Sequence, residues 1–273
     1  MPSSQYSERL LPEAQGNSLG ATARDSLRGL NASNAMSWFD LPRRPEPEVM
    51  DAADEVEAYA SAGAQAYLDA VDNTLVDQVV SLGRTNGWLL DIGAGPGGIP
   101  LKIAARLPNL RVVGLDYSLN MIRAARLAAA KQGLTGRAHF LVGDAYRLAF
   151  PDTCFDLVIS NSVLHHLVNP VALLDEMARV ARPDGAVLLR DLRRPGRLVF
   201  PLHVGWYGRH YSGLMKKLYV ASVHAAYTGA ELGELLCRSA LAEARVFYHQ
   251  RTHLGFVRDG KAGVRGKGQV ART

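Results

Sequence analysis

Only two cysteines, Cys154 and Cys237, occur in 273 residues, far apart and without paired ligand spacing. Their scarcity argues against a disulfide framework and against a thiolate metal site, and it suits a reduced, cytoplasmic setting. Uninterrupted apolar runs fall short of the ~20 residues of a membrane helix. The opening MPSSQYSERLLPEAQGNSLGATARDSLRG lacks the apolar centre of a signal peptide. Residues 1–35 are therefore expected to be a disordered leader, with Met36 as a candidate start of the ordered protein. No repeat of roughly 20–50 residues is visible, which sets solenoids and propellers aside.

Net acidity is also missing: the formal charge is +5 and the pI about 9.3. The excess is local. Residues 258–273 carry +4 and residues 190–217 carry +6, which leaves −5 on the remaining chain. A general nucleic-acid surface is therefore not expected. A basic tail over 261–273 and one inserted basic segment account for the balance.

With 48% hydrophobic composition, the chain can bury one large core. Apolar runs and helical spacings alternate after a helical region at 51–82. Strands are expected at 88–93, 111–116, 138–143, 155–161 and 186–192, and helices at 98–107, 119–132 and 170–181. That order implies a doubly wound, Rossmann-like α/β fold with a mostly parallel sheet. EARVFYHQ and THLGFVRD are too closely spaced for a helical crossover, so they should pair as an antiparallel hairpin. Ser118 and Asn169 are expected as helix caps, the latter before Pro170, and Thr228 with Glu231 as a capping box.

The stretch WLLDIGAGPGGIPL, residues 88–101, reads as strand, glycine turn and helix. Gly93, Gly95 and Gly97 would let a ligand lie against main-chain N–H groups, although a tight turn without ligand has the same pattern. In open α/β sheets the ligand crevice lies beyond the carboxyl ends of the strands. Asp91, Asp116, Asp144 and Asn161 stand at four such ends, and Asp116 follows the glycines at the distance of a ribose-binding acid. Any one of them alone could be a cap or a solvated turn.

LLDIGAGPGG, VVGLDYSLNMI, LVGDAYRLAF, FDLVISNSVLHHLVNP and ARPDGAVLLRDL together resemble the class I S-adenosylmethionine-dependent methyltransferases. The likeness is to the small-molecule group that includes the ubiquinone and menaquinone methyltransferases, and it covers about residues 50–260. It implies a seven-stranded sheet with an antiparallel last strand, and a helical cap is expected before it over 36–82. It also implies S-adenosylmethionine as cofactor, S-adenosylhomocysteine as product, and a small-molecule acceptor. Asp91 and the turn Gly93, Ala94, Gly95 and Gly97 would then meet the amino-acid part of the cofactor. Asp116 would take the ribose, with Tyr117 and Met121 alongside. Asp144 and Ala145 would face the adenine, and Asn161 and Ser162 the methionine end. Asp184-Gly185 departs from the family's usual pair of glycines, which affects a turn only.

A sulfonium methyl is already activated, so the protein mainly has to align a nucleophile with the S–CH₃ bond. Tyr59, Tyr117 and Tyr146 are candidates to face the sulfonium or the adenine, or else they pack. His165 and His166 are candidates for an acceptor base, or else they brace a loop. Adjacent side chains should diverge, so they are not expected to share a metal. The segment RDLRRPGRLVFPLHVGWYGRHYSGLMKKLY lies within an expected acceptor lid, about 190–228. Arg193, Arg194, Tyr207 and Tyr211 there, with Trp206 and Tyr219 nearby, could hold an anionic or aromatic acceptor. The same segment could form a solvated lid or touch an anionic membrane. NSVLHH lacks the Asn/Asp-Pro-Pro-aromatic signature of base-amine methylation. A nicotinamide-dependent oxidoreductase and a non-catalytic cofactor-binding module are the alternatives. Oligomeric state is not legible.

Overall fold

The computed structural model describes residues 39–46 and 62–260. The expected leader, residues 51–61 of the helical region, Tyr59 and the basic tail lie outside the described residues.

Helix α1 (Ala62–Ser81) leads into a sheet whose parallel part is β1 (Asn86–Ile92), β2 (Asn109–Asp116), β3 (Ala138–Val142), β4 (Phe155–Asn161) and β5 (Ala181–Leu192). The crossover helices are α2 (Gly98–Arg106), α3 (Leu119–Lys131) and α4 (Pro170–Val180). After β5 come α5 (Phe200–Tyr207), α6 (Gly213–Ala225) and α7 (Gly229–Cys237). The hairpin β6 (Arg245–His249) and β7 (His253–Arg258) closes the chain's order of elements. The seven strands run β3-β2-β1-β4-β5-β7-β6, with β7 antiparallel to both of its neighbours. This is the doubly wound sheet with an antiparallel last strand that the sequence implied. Strand order reverses between β1 and β4, which opens a crevice at their carboxyl ends.

The helices form where apolar residues recur at helical spacing. In α4, Pro170, Leu173, Leu174, Met177 and Val180 are buried along one stripe, which clamps the helix to the sheet. Ser118 caps α3 by accepting from Met121 N–H, and Thr228 with Glu231 forms the expected capping box on α7. Asn169 does not cap α4. Its side chain makes no cap hydrogen bond, and Pro170 supplies the start by its fixed φ. Strand β5 begins at Ala181 rather than 186, because Phe155 pairs with Ala181 across an irregularity in the β4–β5 ladder.

Two glycines of the first turn are sterically required. Gly93 has φ 77, and a Cβ there would lie 2.1 Å from Val163 Cγ2. Gly97 has φ 88, and its Cβ would sit 3.0 Å from Ala125 Cβ and 3.1 Å from the Phe140 ring. Gly97 thus serves the packing of α3 and β3 behind the turn. Gly97→Ala should cost about 1–3 kcal/mol of stability in a urea titration. An unchanged midpoint would contradict this role.

Candidate functional site

A cavity of about 820 Å³ opens at the strand ends. Gly93, Ala94 and Gly95 form one wall, Asp116, Tyr117 and Met121 the next, and Asp144 with Ala145 a third. Asn161 and Ser162 close the floor beside His165 and His166. Most of the residues implied for the cofactor therefore meet in one space.

The glycine turn and β2 are tied together before any ligand arrives. Gly93 and Ala94 N–H both donate to Leu115 C=O. Gly95 N–H donates to Asp116 Oδ2 at 2.8 Å, and Ser118 N–H to Oδ1 at 2.9 Å. Asp116 thus shapes the turn while lining the cavity. Tyr146 supports the adjacent loop. Its hydroxyl accepts from Val168 and Asn169 N–H, and its own N–H donates to Asp144 Oδ1.

Asp91 and Gly97 do not reach the cavity. Asp91 is 1% exposed beneath the turn, with Oδ1 lacking a hydrogen-bond partner among the described residues. Burial, with Asp116 and Asp72 nearby, pushes its carboxyl up to about 8. Raised this far, Asp91 is protonated at neutral pH, and the stability this protects falls as pH rises from the ordinary carboxylate range toward 8. The slope is of order 1 kcal/mol per pH unit. Asp91→Asn, which cannot ionise, should flatten the loss between about pH 4 and 8 and be more stable than the parent at pH 8. Parallel denaturation curves for the two proteins would contradict this.

Another side of the cavity is apolar and aromatic. Tyr67 and Leu68 of α1 face Tyr211, Met215, Leu218 and Tyr219. Tyr67 meets Tyr211 edge-on at 5.7 Å, and Tyr211 meets Tyr219 at 5.0 Å. The Tyr219 hydroxyl is buried without a partner among the described residues, and burial pushes its pKa up. A buried phenol in that state presents a neutral donor toward the cavity.

The substrate residues expected from the basic segment are only partly brought there. Tyr211 lines the cavity, whereas Arg193, Arg194 and Tyr207 do not. Arg194 is 4% exposed and turned inward, bonding Ala226 C=O and the Glu231 carboxylate. Arg193 lies over the Tyr248 ring, and Tyr207 packs on His203. Arg190, counted with the lid, is a core residue of β5 at 0% exposure. Since Arg194 holds α7, Arg194→Ala should lower stability by about 2 kcal/mol. Cofactor affinity in the folded fraction should be unchanged; weaker cofactor binding at unchanged stability would contradict the assignment.

His165 and His166 do not diverge as expected, because the short 3₁₀ turn Leu164–His166 brings their rings to 4.2 Å. His165 is buried. Its Nδ1 donates to Asp191 Oδ1 at 2.5 Å, and its Nε2 stands 4.0 Å from Glu46 Oε2. Burial opposes charge on His165, but Asp191 and Glu46 outweigh it and raise the pKa. Glu46, His165 and His166 each offer a ligand atom within 4.8 Å of the others, a spacing open to a metal ion. A metal would require unprotonated His165, whereas the two carboxylates favour its imidazolium and so work against a metal there. His166 is half-buried on the cavity wall.

Three contributors had no sequence signal. Tyr67 and Asp72 come from the helix before the glycine motif, and His253 from the last strand. Their spacing is that of ordinary core residues, and only the topology brings them to the crevice.

Residues 90–189 match the family model described as a methyltransferase domain. Over 132 residues the chain is 33% identical to demethylmenaquinone methyltransferase of Roseiflexus castenholzii, covering 43% of this chain and 54% of that one. Over 101 residues it is 35% identical to ajmaline N-methyltransferase of Rauvolfia serpentina, covering 37% and 34% respectively. The match thus spans about half, or less, of the length of these curated relatives. In fold, it is similar to a SAM-dependent methyltransferase from Aquifex aeolicus, with a TM-score of 0.50 and 20% identity over 67% of this chain and 87% of that one.

Proposed function

We propose that the chain, which is similar to class I S-adenosylmethionine-dependent methyltransferases including those of quinone biosynthesis, methylates a neutral, apolar or aromatic small molecule. One observation carries the reading. The cavity is lined by three carboxylates, Asp72, Asp116 and Asp144, and by no lysine or arginine among the described residues. That field suits the cationic sulfonium and ammonium of S-adenosylmethionine and disfavours a pyrophosphate. It equally disfavours an anionic acceptor, so the basic segment is not the acceptor's counter-charge.

S-adenosylmethionine supplies an activated methyl when bound. The residues that would hold it are the Gly93–Gly95 turn, with Asp116 toward the ribose, Ala145 toward the base and Asn161 toward the methionine end. Tyr67, Met215 and Tyr219 would enclose the acceptor and exclude water, which is the positioning task the reaction requires. For a hydroxyl acceptor, His166 would take the proton as the nucleophile's oxygen gains the methyl. The neighbouring imidazolium of His165 would stay fixed between its carboxylates. Free thiols at Cys154 and Cys237 fit a cytoplasmic setting, and no described helix is long and apolar enough to cross a membrane.

Calorimetry with S-adenosylhomocysteine and NAD tests the cofactor. S-adenosylhomocysteine should bind with micromolar affinity, about 8 kcal/mol, and NAD should not register. Asp116→Ala should weaken the former by about 2–3 kcal/mol, because charge-assisted hydrogen bonds are lost. Tighter binding of NAD would overturn the reading.

A further inference from the structure

We propose that α5 docks the protein on an anionic lipid bilayer, with Leu198, Val199, Leu202 and Trp206 entering the headgroup region. These four side chains are 65%, 53%, 76% and 63% exposed. Val199, Leu202 and Trp206 recur at helical spacing, so they form one outward ridge along α5, with Leu198 at its start. The opposite face is also apolar: Phe200, Val204 and Tyr207 pack on Tyr211, Met215 and Tyr219. The helix FPLHVGWY contains no Asp, Glu, Lys or Arg, and its one histidine is buried. A helix that is apolar all round belongs in a core or in lipid, whereas a water-facing surface helix carries a polar outer stripe.

Charge chooses the occupant. Between Asp191 and Glu231 there is no acidic residue, while six Lys and Arg stand there. Of these, Arg197, Arg209, Lys216 and Lys217 are exposed, and Arg197 directly precedes Leu198. The Arg209 guanidinium lies 4.0 Å from the centre of the Trp206 ring, which places cation and indole together as at a headgroup boundary. A second copy docked through the same face would set these cations against their own images. An anionic bilayer meets both the apolar ridge and its basic rim.

The inner face of α5 packs on the residues that wall the acceptor chamber, so docking would bring the chamber to the lipid surface. This link rests on the proposed apolar acceptor; the docking itself does not.

The test uses the full chain and acceptor-free vesicles. Phosphatidylcholine with about one-third phosphatidylglycerol is compared with phosphatidylcholine alone, at low salt and at ~0.5 M salt. Co-sedimentation should be at least tenfold stronger on the anionic vesicles at low salt than in the other conditions. The double variant Leu202→Glu/Trp206→Gln, with every basic residue retained, should lose most of that binding while keeping its circular dichroism and its affinity for S-adenosylhomocysteine. Equal sedimentation of variant and parent would overturn the proposal, as would no sedimentation of the parent. A dimer abolished by the variant, without vesicle binding, would overturn it in favour of a self-interface. Failure to bind S-adenosylhomocysteine would defeat the methyl-transfer reading while leaving the docking result standing.

Discussion

Asp191→Ala should cost about 3–5 kcal/mol of stability, the range for removing one partner of a buried ion pair. Asp191 is 1% exposed and accepts from His165 N–H, His165 Nδ1 and Leu192 N–H. Burial alone would raise its pKa, but His165 overrides that and holds it low. Without the carboxylate, His165 must either stay charged against Glu46 alone or become neutral inside the core. The pH dependence follows from the two directions. The contribution from Asp191 is present above the ordinary carboxylate pKa and is lost as pH falls through its depressed value. That from His165 is present below the ordinary histidine pKa and is lost as pH rises through its raised value. The stabilisation is therefore greatest between those limits, and Asp191→Ala should remove the maximum along with the stability. Asp191→Asn, which keeps an acceptor for Nδ1–H, should fall between the two. Urea titrations across pH measure all three proteins, and a loss below about 1 kcal/mol in the alanine variant would reject the pair as a structural anchor.

The second large effect is expected at Arg190. Its Nε donates to Asn161 Oδ1 at 2.9 Å, Nη1 to Thr74 Oγ1 at 2.7 Å and Nη2 to Val71 C=O at 3.2 Å. One buried guanidinium thus fixes the side chain at the end of β4 and ties α1 over the crevice. Burial lowers its pKa to about 10, against the opposing pull of Asp72 and Asp191, so it stays charged at neutral pH. Arg190→Met preserves much of the volume but frees Asn161 and α1. We expect at least a tenfold loss of S-adenosylhomocysteine affinity, above about 1.4 kcal/mol, together with faster amide exchange in α1. A melting curve guards against simple unfolding. Full affinity in a folded Arg190→Met protein would contradict the role.

The strands and their order were legible because parallel strands buried on both faces read as continuous apolar runs; β4 at 155–161 was bounded correctly from FDLVISN alone. That Gly93, Asp116, Asp144 and Asn161 meet around one cavity was equally legible, since each marks a strand end that the topology must align. The contribution of the basic segment was not. A +6 segment shows its charge but not its orientation, so Arg194, paired with Glu231, looked like a ligand. Tyr207 and Tyr211 sit four residues apart on neighbouring turns, yet only Tyr211 reaches the cavity. Asp191 gave no sign of its partner, because a pairing between residues 165 and 191 is created by the β4–β5 ladder and by the turn after β4.

The most direct test of the account is transfer of radiolabelled methyl from S-adenosylmethionine into organic-extractable product, with neutral phenols and hydroquinones set against carboxylate and phosphate compounds of similar size. The account predicts label in products of the neutral aromatic set. It also predicts a fall of about 10²–10⁴-fold in kcat for His166→Ala on hydroxyl acceptors, with cofactor affinity unchanged. Label confined to anionic acceptors, or S-adenosylmethionine bound but never turned over with any of them, would contradict it.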